Sequence, residues 1–251
     1  MARVFFKRSQ PVSRVHITED QIATVVDDAF SVLCGKRGVK KASRISVISD
    51  LFTESRFPEL EGDEVIQIGT TFHIYGQKDC CYRHILTLGN CEPIVEEAGE
   101  NAAAAGYITD TVACSNEAEL LLKWTDMMRR MDPDVVTGYN IFGFDMVYLV
   151  ERARELGIER QFLGLGRLRG VSGEYKETTV SSSALGDNQL KYINMPGRTL
   201  MDIMKVVQRD HKLDSWKLDN VAYHFTGRKK HDITAHDIFR LQRGSAADRR
   251  V

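Results

Sequence analysis

Asp134-Val-Val-Thr-Gly-Tyr-Asn-Ile-Phe-Gly-Phe-Asp-Met-Val-Tyr-Leu-Val-Glu-Arg-Ala153 is the stretch on which the reading of this chain turns. Val135 and Val136 are short, apolar and β-branched, and predict a buried strand end. Thr137-Gly138-Tyr139-Asn140 is turn chemistry, with Gly138 free to take a positive φ. From Phe144 to Leu156 the pattern becomes helical, with Met146, Leu149, Val150, Ala153 and Leu156 able to share one side. Asp145 therefore falls in the first helical turn, just past the mouth of a strand–turn–helix unit. A carboxylate there is favoured by the helix dipole, and in open α/β sheets ligands gather beyond the carboxyl ends of strands. Asp145 is a candidate site residue on those grounds.

Working outward, Ile45 to Ser49 and Val65 to Tyr75 read as strands, and Tyr82 to Leu88 alternates so as to pair with the second in a hairpin around Gly76-Gln77-Lys78-Asp79. Residues 92–114, with Glu96-Glu97 and the alanines from Ala102 to Ala105, read as a surface connection. Asn116 caps the next helix with Glu119 as its box partner, and Leu120, Leu121, Trp124, Met127, Met128 and Met131 repeat at helical spacing as a core stripe. Thr18 to Leu33 is an expected helix with Thr18 and Gln21 as cap and box partner, and Ile22, Val25, Val26 and Phe30 on its apolar side. Residues 160–188 are polar and glycine-rich, and Gln189 to Met195 alternates like a strand. Helices are expected from Met201 through Arg209, around Leu218 to Phe225 with a stop at Gly227, and from Asp237 to Leu241. Strands first and strand–helix alternation later predict an α/β fold, one mixed sheet with flanking helices. The domain boundaries read as 1–43 for an N-terminal segment and 44–251 for the main domain.

The 251 residues suffice for a full core, and 43% hydrophobic content is ordinary for a globular protein. A formal net charge of −1 argues against tight, purely electrostatic binding to duplex nucleic acid, but not against a cleft that holds a few nucleotides. The five cysteines form no C-x-x-C pair, which points to reduced thiols, and adjacent Cys80-Cys81 reads as packing rather than metal binding. Lys36-Arg37 and Lys40-Lys41 read as a solvated basic loop, with a localisation or phosphate patch as the alternative. No apolar run spans a membrane and no signal peptide is present, so a nuclear or cytoplasmic setting is expected.

Thr137-Gly138-Tyr139-Asn140-Ile141, then Phe144-Asp145 and Tyr148-Leu149, resemble the second exonuclease motif of family B DNA polymerases, in particular the delta-type enzymes and their relatives in large DNA viruses. Phe57-Pro58, Val65-Ile66-Gln67-Ile68-Gly69, Met131-Asp132-Pro133-Asp134, Gly197-Arg198-Thr199-Leu200-Met201-Asp202 and Leu218-Asp219-Asn220-Val221-Ala222-Tyr223-His224-Phe225 follow in the family's order. The resemblance covers roughly residue 50 to the end. It implies a ribonuclease-H-like mixed sheet flanked by helices and a role in proofreading during DNA replication. There, the 3′-terminal nucleotide of a mispaired primer is removed by hydrolysis with two metal ions about 4 Å apart. Mg²⁺ or Mn²⁺ suits such oxygen-donor sites. The implied partners are DNA, as a single-stranded 3′ primer end, the remainder of a polymerase, and replication accessory proteins.

Four carboxylates serve the family: an Asp-x-Glu pair on a strand, one Asp in the second motif, and one in a Tyr-x-x-x-Asp motif. Asp145 matches the second-motif aspartate. Counting back from Phe57-Pro58 puts the strand pair at Val47 and Ser49, and a slip of one residue puts it at Ile48 and Asp50, so Asp50 is the second candidate metal ligand. The Tyr-x-x-x-Asp motif is not found, and the chain reads as truncated just before it and before the polymerase domain. With one firm ligand, a poor or inactive nuclease is expected, and a single-stranded-DNA-binding or scaffolding domain is the alternative. Asp202 reads as a cap or a partner for a nearby donor. Tyr139, Asn140 and Phe144 are candidate DNA-binding residues. Their bland alternatives are packing of the sheet–helix junction for Tyr139 and Phe144, and satisfaction of a turn amide for Asn140. Arg167 and Arg169 fall within residues 160–188, the region where the family holds a hairpin near the primer end, and are candidate phosphate contacts, with solvent-facing arginines as the alternative.

Overall fold

A computed structural model describes residues 2–6, 19–34, 62–95, 108–182, 186–228 and 233–250. The chain divides into two compact units, Met1–Ser9 with Glu64–Val251, and Gln10–Asp63. Among the described residues of that second unit lies helix α1 (Glu19–Leu33). Of its expected apolar side, Val26 and Phe30 are exposed, whereas Ala29 and Val32 are buried. The proposed Thr18 cap, the basic residues 36–41, the strand at Ile45 to Ser49, and Asp50 lie outside the described residues.

In the larger unit, five strands form a sheet: β1 (Ala2–Phe6), β2 (Val65–Phe72), β3 (Tyr82–Leu88), β4 (Ile94–Val95) and β5 (Ile108–Cys114), in the order β1-β2-β3-β5-β4. β2 and β3 make the expected antiparallel hairpin, with Ile68 facing Leu86 across the pair. β1 pairs antiparallel with β2, a strand the opening residues do not announce. β5 also corrects the reading of residues 92–114 as a mere connection. It runs parallel to β3, from His84 against Asp110 to Leu88 against Cys114. Parallel neighbours are joined by long crossovers, so no turn signal flags the strand, although alternating Thr109, Thr111 and Val112 suit one.

Helix α2 (Glu117–Met131) lies on this sheet against β2, β3 and β5. Asn116 caps it as expected, accepting from the Glu119 amide at 2.9 Å, but Glu119 reaches back to the amide and hydroxyl of Ser115 rather than to Asn116. Leu120, Leu121, Trp124, Met127 and Met128 are buried, and Met131 packs at the margin. Trp124 stacks on Phe162 with centroids 5.9 Å apart and donates its indole N–H to Thr70 Oγ1 at 3.2 Å. A buried indole needs such an acceptor.

The other elements are β6 (Val135–Gly138), α3 (Asp145–Glu155), α4 (Glu159–Phe162), the hairpin β7 (Glu174–Ser182) and β8 (Gly186–Asn194), then β9 (Thr199–Asp202), α5 (Ile203–Asp210), α6 (Leu218–Thr226) and α7 (Ala235–Arg243). β6 and β9 pair in parallel, and β6 lies against β1. Thr199–Asp202 is thus a strand where a helix from Met201 was expected; the helix starts one residue after Asp202. α6 ends as predicted, with Gly227 in the left-handed region at φ 68°.

Two buried polar groups couple these elements. Glu117 accepts from the Val65 amide at 2.7 Å and is gripped by Arg152 of α3 through Nε at 2.9 Å and Nη2 at 2.6 Å. Both side chains are under a tenth exposed, and Arg152 also meets Glu155. His84, equally buried, stands opposite Asp110, its Nε2 4.0 Å from Oδ2, while its Nδ1 has no hydrogen-bond partner among the described residues. Tyr82 donates to the same Asp110 oxygen at 2.6 Å. Burial holds the His84 pKa below the ordinary histidine range; Asp110 opposes this and Arg130 reinforces it.

Two outcomes are expected. Arg152→Ala leaves Glu117 charged and unpaired, which lowers unfolding free energy by about 3–5 kcal/mol in chemical denaturation. A histidine kept neutral by the fold binds its proton more readily unfolded. Stability is therefore full above pH about 6.5 and falls as pH drops through that value. His84→Gln flattens this part of the curve, as urea midpoints measured from pH 5 to pH 8 will show.

Candidate active site

The parallel pair β6–β9 sets Val135 against Thr199, Val136 against Leu200, Thr137 against Met201 and Gly138 against Asp202. Each strand is followed by a helix, and each helix has an aspartate at its start: Asp145 is the first residue of α3 and Asp202 the N-cap of α5. Asp202 thus closes its strand and Asp145 lies beyond the end of the other, both beside helix N-termini. There, unpaired amides and the helix dipole favour negative charge.

Asp202 is 2% exposed. Its Oδ1 accepts from the amides of Asn140 at 2.8 Å and Met204 at 2.9 Å, and its Oδ2 from the amide of Phe142 at 3.0 Å. It caps its own helix and also ties down the turn that leads to Asp145, as its reading as a cap or donor's partner anticipated. Asp145 is half-buried.

The turn differs in detail from the expectation. The left-handed residue is Asn140, with φ 59°, not Gly138, which continues the strand and is buried. Asparagine tolerates this region better than most residues. Gly143 lies against it: a Cβ there would sit 2.5 Å from Asn140 Oδ1 and would move that side chain. Val136 is buried as read, but Val135 is 47% exposed. β6 thus offers one face, not two, to the core.

Tyr139 is partly buried and donates to the carbonyl of Trp216 at 2.6 Å, and burial, then the Asp202 charge, push its phenol pKa up. Phe144 occupies the N-cap position of α3, with its ring 6.5 Å from that of Tyr148. Phe142, which the sequence did not single out, lies 5.8 Å from Tyr192 of β8, and so joins this turn to the β7–β8 hairpin. No local signal announces that contact.

Arg167 is engaged by carboxylates: Nε meets Asp132 Oδ1 and Nη1 meets Asp134 Oδ1, both at 2.8 Å. This hydrogen bond holds the Asp132 carboxyl below its usual range. A phosphate at Arg167 would compete with two carboxylates. Arg169 is exposed in the turn before the hairpin. Asp50 lies outside the described residues.

The described donors do not fit a two-metal centre. Both Asp202 oxygens are taken by backbone amides, and no three His, Cys, Asp or Glu side chains among the described residues are grouped to hold a metal ion.

Two acids after paired parallel strands, beside a mixed sheet that carries helix α2, make this an α/β domain consistent with the ribonuclease-H-like type. The family described as DNA polymerase family B, exonuclease domain, matches residues 28–221, and the chain belongs to it. A DNA polymerase of Pyramimonas orientalis virus is 44% identical over 204 residues, covering 80% of this chain and 16% of the relative. The DNA polymerase delta catalytic subunits of Dictyostelium discoideum and Arabidopsis thaliana are 40% and 37% identical over 77% and 78% of this chain. The chain spans only 16% and 17% of those two relatives. Among the described residues, no helix is long and apolar enough to cross a membrane.

Asp202→Ala strips an acceptor from three amides, and should lower stability by about 3 kcal/mol by urea denaturation. Asp202→Asn should lose less, because one oxygen remains.

Proposed function

We propose that this domain receives the single-stranded 3′ end of a DNA primer in the crevice beyond β6 and β9, as the proofreading exonuclease region of a DNA-directed DNA polymerase acting in replication. The observation that carries this reading is the placement of Asp145 and Asp202 after two paired parallel strands, with the Tyr139–Asn140 turn joining β6 to Asp145 and held by Asp202. Tyr139, Asn140 and Phe144 are the residues proposed to border the terminal nucleotide, and Arg169, with Arg167 less available, to meet its phosphates. Aromatic faces and a few cations are the usual means of holding single-stranded bases. Divalent ions suit the family's chemistry, and Asp145 is the oxygen donor proposed for Mg²⁺ or Mn²⁺. The proposed setting is the nucleus or cytoplasm, with the remainder of a polymerase and its accessory proteins as partners.

Because Asp202 is committed to amides, this chain is proposed to bind DNA better than it cuts it. Fluorescence anisotropy with a labelled oligonucleotide should show tighter binding of single-stranded than of blunt duplex DNA. In EDTA, Asp145→Ala removes a repulsive charge from the phosphate path and should tighten binding about two- to fivefold. Mn²⁺ should narrow that gap and produce little shortening of a 3′-labelled strand. Equal affinity for both DNA forms, with no effect of Asp145→Ala, would overturn the reading.

A further inference from the structure

The sequence suggested that Cys80 and Cys81 serve packing. The structure places them otherwise. They sit in the β2–β3 turn, where Cys81 is exposed and Cys80 half-buried, so neither thiol is committed to the core. Their sulfurs also converge. Cys80 Sγ lies 3.0 Å and Cys81 Sγ 3.2 Å from one oxygen, the carbonyl of Phe72, which already accepts from the Cys81 amide at 2.9 Å. Cys80 Sγ has a second contact, to the Tyr82 carbonyl at 3.2 Å.

A carbonyl oxygen has two lone pairs, and thiols are weak donors. With the amide as one donor, the two S–H groups compete for what remains, and giving up either contact costs little. Two thiols are thus held on one side of a turn by interactions that a stronger ligand can displace.

Chain geometry then selects the kind of ligand. Neighbouring Cα atoms are about 3.8 Å apart, shorter than the roughly 4.4–6.8 Å that an ordinary disulfide spans. A direct S–S bond here is strained and easily reduced. A single larger atom inserted between the sulfurs lengthens the bridge and removes that strain. Thiolates are soft donors and prefer soft centres, and the second sulfur binds with the advantage of a tethered ligand.

We propose that Cys80 and Cys81 form a bidentate dithiol site for one soft, thiophilic centre, of the class represented by trivalent organoarsenicals. With an organoarsenic(III) oxide, the As–O bonding is lost and two As–S bonds form. Both thiol protons leave with the oxygen as one water. No electrons are transferred, so no oxidant is required.

The test uses the full chain and phenylarsine oxide, read by intact-mass spectrometry and by competition with a fluorescent biarsenical dye. One phenylarsenic group per chain is expected, retained in a Cys34→Ser/Cys91→Ser variant. It should be removed by a dithiol such as dimercaptopropanol but not by the same excess of a monothiol. Cys80→Ser and Cys81→Ser should each weaken binding on the order of a hundredfold. Wild-type protein capped with iodoacetamide under native conditions, which needs no substitution, should lose the adduct as well. Full retention of the adduct in either serine variant or in the capped protein, or its removal by monothiol, would overturn the proposal.

Discussion

The carboxylate of Asp202 is the interaction on which the candidate site depends. Its two oxygens accept from three amides, two in the Asn140–Phe142 turn and one in the first turn of α5. Through that one side chain the end of β6, the left-handed Asn140 and the start of α5 become a single rigid piece. Asp145 follows three residues after Phe142. A buried charge is tolerable here because every acceptor direction it uses meets a fixed N–H donor beside a helix N-terminus.

Two further polar staples carry this geometry to the rest of the unit. Glu117 and Arg152 tie α2 to α3 and hold the first amide of β2. Arg198, whose side chain is 1% exposed, donates to the carbonyls of Leu165, Pro133 and Met128 and meets Asp132 Oδ1 at 2.9 Å. It thereby fastens the chain entering β9 to the loop entering β6. These contacts join segments that apolar packing alone would leave free to slide, because hydrophobic burial has no direction, whereas a guanidinium fork does.

Chemically, the crevice is lopsided. The acid that would face a substrate is half-exposed, and the other acid at the strand ends is spent on backbone. The turn between them reaches the β7–β8 hairpin through Phe142 and Tyr192, so a strand lying on the hairpin and a nucleotide in the crevice would press on the same turn. With a net charge of −1, the proposed affinity for DNA would rest on such local shape and stacking more than on a general field.

Periodicity carried the elements whose signals are local. The α2 stripe from Leu120 to Met128, the β2–β3 hairpin, the Gly227 stop and the position of Asp145 at a helix start were all legible, because spacing and caps act within a few residues. The motif around Tyr139 and Asn140 also sufficed to indicate the family. Tertiary structure alone decided what depends on a distant partner. β5 is a strand because β3 lies beside it, Thr199–Asp202 is extended because β6 does, and Arg167 meets Asp132 and Asp134 rather than open solvent. The same holds for Cys80 and Cys81, whose convergence on Phe72 follows from the hairpin's closure. A sequence specifies what each short segment can be. Which donors meet which acceptors is settled only when the chain folds back on itself and the backbone groups of separate strands compete for partners.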